Sequence, residues 1–172
     1  MARPIDQPTT APAFNLVEID EDCLQATALN ILFLIWRRRT TLEAFSRGIH
    51  LARRYAEQTR SKIGVCQVIE VDAVPPEADA RSAFGGFLKL DVIAHSVVIH
   101  DGTGFKAASV RAIVNLQLLV SKPRFPHALF STPEQAAASL ASGQAALGRS
   151  DTPASIEALI LRLRTLHRER FP

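Results

Sequence analysis

The chain has 172 residues, 47% hydrophobic and 22% charged, with 20 Lys and Arg against 17 Asp and Glu. That composition excludes disorder, which needs fewer apolar residues and more uncompensated charge, and a net charge of +3 is too small to mark a nucleic-acid binder. Two cysteines build no disulfide framework, and the longest apolar stretch, Ala26 to Trp36, is well short of the ~20 residues a membrane helix needs. The opening residues, with Asp6 and three prolines, do not read as a secretory signal. The expectation is a globular cytoplasmic protein.

Residues 1–12, with Pro4, Pro8 and Pro12, read as a loose arm. From Ala13 to Ile19 apolar residues alternate as in a strand, ending at the acidic turn Asp20, Glu21, Asp22. Gln25 to Trp36 is apolar on both faces and reads as one central strand. Thr40 and Glu43 then have capping-box spacing. Leu42, Phe45, Ile49, Ala52 and Ala56 recur every three or four residues, so a helix should run to about Arg60.

Ile63 to Val71 is a second strand covered on both sides, and Pro75-Pro76-Glu77 opens a helix that buries Ala80, Phe84, Phe87 and Leu88. His95 to His100 is a third such strand. The loop Asp101-Gly102-Thr103-Gly104 leads into a helix marked by Ala108, Ala112, Ile113, Leu116 and Val120. A short strand spans His127 to Phe130. Thr132-Pro133-Glu134-Gln135 is a second capping box, whose helix Gly143 should stop. A final helix starts near Thr152-Pro153, with Ile156, Leu159, Ile160, Leu163 and Leu166 on one stripe and Arg162, Arg164, Arg168 and Arg170 on other faces. Strands joined through helices run parallel, while the first strand, joined by a turn, is antiparallel. The fold class is therefore α/β, a mixed sheet with an added C-terminal helix.

Certain motifs carry a resemblance to uncharacterised bacterial proteins of the STAS-like class, named for sulfate transporters and anti-sigma-factor antagonists. They are Ile35-Trp36-Arg37 at a strand end, Thr41-Leu42-Glu43 at a helix start, Gly102-Thr103-Gly104-Phe105 before the third helix, and Phe125-Pro126 followed by Phe130 to Ala136. The resemblance divides the chain into an arm (1–12), a STAS-like domain (13–142), and a linker with an amphipathic helix (143–172). It implies a non-enzymatic regulatory module that binds a protein partner. In regulatory members a partner kinase phosphorylates a serine at the start of the second helix; the matching segment here, residues 72–79, has no hydroxyl, and Asp72, Glu77 and Asp79 oppose a phosphate. The phosphorylation cycle does not carry over.

Candidate chemistry is sparse. Gly102-Thr103-Gly104-Phe105-Lys106-Ala107 matches a dinucleotide fingerprint, but the acidic residue due about twenty positions on is missing, so a tight turn needing positive φ is the better reading. His95 and His100 fall on opposite strand faces and cannot share a metal, while His50 and His167 read as surface histidines. Glu70 and Asp72 read as a solvated pair at a strand end. No catalytic constellation, metal set or cofactor is indicated. Arg37, Arg38 and Arg39 form the densest positive run; they read either as a solvated strand exit or, together with Thr40, Asp101, Gly102, Thr103, Gly104 and Lys106, as a binding edge where parallel strands end. That edge would suit an acidic partner loop or, as the alternative function, a small anion or nucleotide. The last helix should dock on an apolar surface, with a second copy of the chain slightly preferred.

Overall fold

A computed structural model describes residues 11–172, the side chains of Phe105 and Lys106 excepted. The first ten residues of the expected arm lie outside the described residues. Six strands, β1 (Asn15–Ile19), β2 (Cys23–Ala28), β3 (Ile31–Trp36), β4 (Ile63–Ile69), β5 (Ile93–Ile99) and β6 (His127–Phe130), form one sheet in that order. Neighbours in the sheet are neighbours in sequence. β2 pairs antiparallel with both β1 and β3, and β3 to β6 run parallel, so the α/β class, the mixed sheet and the antiparallel first strand are as the sequence reads. The helices are α1 (Leu42–Thr59), α2 (Ala78–Phe87), α3 (Gly104–Ser121), α4 (Pro133–Ala146) and α5 (Pro153–Arg170). None of them is long and apolar enough to cross a membrane.

The segment expected as one strand, Gln25 to Trp36, is a hairpin. Leu29 and Asn30 have φ of 51° and 59°, the double left-handed geometry that closes a two-residue turn between twisted strands. Asn tolerates that conformation, and Asn30 Nδ2 also donates to Lys62 O at 2.9 Å. Leu29 hides the turn, because its apolar side chain packs against the core and keeps the alternation unbroken.

Two faces of the sheet are covered. Leu32, Leu34, Trp36, Ile63 and Val65 pack under α1 and α2, joined by Phe45, Phe84 and Phe87. Leu24, Phe33, Ile35, Cys66, Val68, Val97 and Ile99 pack under Leu140 of α4 and Ile156, Leu159, Ile160 and Leu163 of α5. α3 rests chiefly on α2, at the margin of the first layer.

Local chemistry sets the helix ends. The cap of α1 is Thr41, one residue beyond the expected Thr40; its hydroxyl accepts from Ala44 N at 3.2 Å. α2 begins at Ala78 rather than at the prolines, since each proline holds the residue before it extended. Thr132 and Thr152 cap α4 and α5 as their spacing predicts, accepting from Gln135 N and Ser155 N. Gly143 does not stop α4, which continues to Ala146, so the expected boundary at 142–143 falls inside a helix. The absent side chain is needed for packing instead: a Cβ on Gly143 would lie 2.4 Å from the ring of His95, the buried β5 residue that faces α4.

The final helix turns back over its own sheet. Ile156, Leu159, Ile160 and Leu163 are fully buried against β2, β3 and α4, so the surface expected to receive a second copy is occupied within the chain. Arg162 adds a cation–π contact, 5.1 Å above the ring of Phe14.

Candidate functional site

β3, β4, β5 and β6 end on one edge, and β2 starts there after the Asp20–Asp22 turn. The run Arg37–Arg39 leaves β3 at this edge, as expected, but each arginine is engaged within the chain. Arg39 forks onto Asp22 through Nε and Nη2, the latter 2.8 Å from Oδ2. Arg38 pairs with Glu21 at 2.6 Å, and Arg37 donates to the carbonyls of His167 and Arg168 at 3.2 and 3.5 Å. Those carbonyls belong to the last turn of α5, the negative end of its dipole, where a cation is favoured. The cluster's positive charge is thus answered by the acidic turn and a helix terminus.

Deeper in the edge lies a buried charged cluster that sequence reasoning missed. Glu70, read as solvated, is buried, and Arg164, read as facing solvent, reaches it with Nε and Nη2 each 2.8 Å from a carboxylate oxygen. Arg164 Nη1 also meets Asp101 Oδ2 at 2.7 Å, and Arg168 meets Glu70 at 2.6 Å. Burial alone would raise the carboxyls of Glu70 and Asp101, but the hydrogen bonds and charge of Arg164 outweigh it and hold both below their ordinary values. The detectable signal was register: Arg164 stands four residues after Ile160, on the stripe α5 buries.

His167, read as a surface histidine, is buried too, its Nε2 2.7 Å from Asp20 O. Asp20, Asp22, Glu70, Asp101 and α5 therefore close this edge as a stapled seam rather than as an open binding surface. Among the described residues, no group of three His, Cys, Asp or Glu side chains is placed to hold a metal ion.

The Gly102–Gly104 loop fits the turn reading. Gly104 has φ of +80°, and Thr103 caps α3 by backbone geometry without a side-chain bond. A Cβ on Gly102 would sit 2.9 Å from His100 Nε2, and Gly102 O accepts from Arg111. Asp101 joins the arginine cluster at the β3–β5 end. The side chain of Lys106 lies outside the described residues, so the expectation that it shares a surface with Arg38 rests on its backbone position alone.

Beside the seam, on the α1–α3 side, a mostly apolar cleft opens over the same strand ends. Trp36, Gln67 and Val98 line it from β3, β4 and β5, with Thr40, Phe45, the Val74–Pro76 segment, Phe84, and Val110, Val114 and Gln117 of α3. Of the expected binding residues whose side chains are described, only Thr40 reaches it. α3 also exposes Leu116, Leu119 and Val120 on its outer side, at 60%, 75% and 72%.

At the far margin of this face, His127 stacks edge-on to Phe84, and neither ring nitrogen has a hydrogen-bond partner among the described residues. Burial pushes its pKa down to about 4, and lowers those of His95 and His167. Because the fold favours the neutral rings, their contribution is fully present above the unfolded value near 6.5 and is lost as pH falls toward 4. We expect the melting temperature to decline across that window, and less steeply in His127→Phe. Equal slopes for the two proteins would refute this account.

The chain matches no family model, no curated protein and no solved structure.

Proposed function

We propose that the chain is a non-enzymatic, STAS-like interaction module that presents α3 and the adjoining β6 edge to a protein partner. The observation that carries this reading is the outer face of α3. Leu116, Leu119 and Val120 stand three and four residues apart, so they form one stripe, and large aliphatic groups this exposed together mark contact surfaces rather than scattered surface residues. Among the described residues, β6 is also an edge strand with one side of its ladder unpaired.

The arginine run supports the partner reading over the anion alternative, because Arg37, Arg38 and Arg39 are already matched to carbonyls and carboxylates of the same chain. The regulatory cycle of the STAS class is not part of the proposal. The segment that leads into the first turn of α2, residues 72–79, carries Asp72, Glu77 and Asp79 and no hydroxyl group.

A photo-crosslinking residue at position 119, introduced in cells, tests the reading. One protein should be captured there, and its capture should be lost when Leu116→Asp is added, while the melting temperature changes by no more than a degree or two because residue 116 faces solvent. Capture no stronger than from position 54, on exposed α1 surface, would end this proposal.

A further inference from the structure

The cleft over the strand ends carries an inference that does not depend on α3's outer face. Its floor holds a polar group without a partner. Gln67 is 2% exposed, and its Oε1 accepts from the Trp36 indole Nε1 at 3.3 Å. That bond fixes the orientation of the amide, since turning it over would set the Gln67 NH₂ against the Trp36 N–H. The Nε2 donor is thereby directed elsewhere, and it has no hydrogen-bond partner among the described residues.

A buried amide donor left unpaired costs on the order of 1–3 kcal/mol, which an acceptor placed in the cleft would recover. The two residues paired with it in the sheet are apolar. Leu34 lies beside Gln67 on β3 and Val98 beside it on β5. Leucine or methionine there would remove the unpaired amide donor but would leave the buried Trp36 N–H without its acceptor.

The surroundings define what the acceptor is attached to. Trp36, Phe45, Phe84, Val110 and Val114 make the walls hydrocarbon. The cleft has about 530 Å³ of empty space counting its open mouth, on the scale of a small-molecule site. Among the described residues, the single charged side chain lining the cleft is Arg81, whose Nη1 donates to Pro76 O at 2.9 Å. An anion beside Gln67 would lose its hydration with no further counter-charge from the described side chains.

We infer that this cleft binds a neutral, apolar molecule with one carbonyl oxygen, which accepts from Gln67 Nε2 while its hydrocarbon part lies against Trp36, Phe84 and Val114. The place is consistent with general α/β architecture, where ligands lodge at the carboxyl ends of parallel strands. The wall opposite the sheet is α3, which packs chiefly on α2.

Trp36 is the only tryptophan in the chain, so its emission reports the cleft directly. Titrating the full chain with 2-octanone should change that emission saturably and shift the Gln67 side-chain amide resonances in the same concentration range. Gln67→Met should weaken binding at least about tenfold, the value of one hydrogen bond to a buried donor. Val114→Phe, which fills the cleft and leaves the amide intact, should abolish it. Octanoate should bind more weakly than the ketone. If Gln67→Met fails to fold, the amide resonances of the unaltered protein decide the matter. A linear, unsaturable emission change, unmoved Gln67 resonances, undiminished binding in Gln67→Met, or tighter binding of octanoate would each overturn the inference.

Discussion

Arg164→Met should lower stability by about 3–5 kcal/mol at pH 7, the cost of breaking a buried ion pair by removing one partner. The side chain is 8% exposed and holds two carboxylates at once, so solvent offers little compensation when it leaves. Glu70 would remain buried, with only Arg168, itself more than half exposed, still in reach. The pH dependence should reverse as well. In the native protein the folded-state pKa values of Glu70 and Asp101 lie below their ordinary values, so their stabilising contribution is present above the carboxylate range near 4 and is lost as pH falls below it. In the variant, burial dominates and raises the Glu70 carboxyl, so acidification from pH 7 to pH 5 neutralises a stranded charge. The difference between variant and native protein should shrink over that range. Urea unfolding at both pH values measures it, and a loss under 1 kcal/mol at pH 7 would show that the cluster is solvated.

Gly143→Ala should destabilise the protein by about 1–3 kcal/mol, the cost of overpacking a filled core. The sign is what makes this prediction sharp. In an ordinary helix interior the same change stabilises by nearly 1 kcal/mol, because glycine gives up more backbone freedom than alanine on folding. Here the new methyl would meet His95 Cγ and Cδ2 at 2.4 Å. The ring also lies close to the β4 backbone, where a Cβ on Gly64 would come within 2.7 Å of its Nε2. His95→Ala should therefore rescue Gly143→Ala, with a coupling large enough to return the double variant to the stability of His95→Ala or above it. A thermal melt in which Gly143→Ala is stabilising on its own would show that α4 stands further from β5 than described.

The elements that sequence made legible are those whose determinants are local. Thr132 and Thr152 cap the helices their spacing predicts, and the alternation of β4 and β5 marks strands covered on both faces. The failures share a cause, because each involves a residue whose role is set by a partner far along the chain. Gly143 reads as a helix stop unless one knows that His95 crosses beneath it. Arg164 and Glu70 read as solvent-facing charges because 94 positions separate them. Leu29 conceals a turn because it is both a turn residue and a core residue. The candidate edge was located correctly as a place where strands end and arginines collect. Whether that edge is open or sealed depends on α5, whose return path no local pattern encodes.

That return path has a consequence for how the molecule is made. Strand order follows chain order, so the sheet can grow by accretion from β1 to β6 as residues emerge from the ribosome. The face of β2 and β3 that holds Leu24, Phe33 and Ile35 cannot be roofed by the helices adjoining it, and waits for α5, the last described element. At ~5–20 residues per second, the stretch from Phe130 to Arg170 leaves a finished sheet with one bare oily side for several seconds. A nascent chain in that interval exposes the kind of apolar surface that chaperones cover, and one stalled between those residues would keep it exposed and be prone to aggregate.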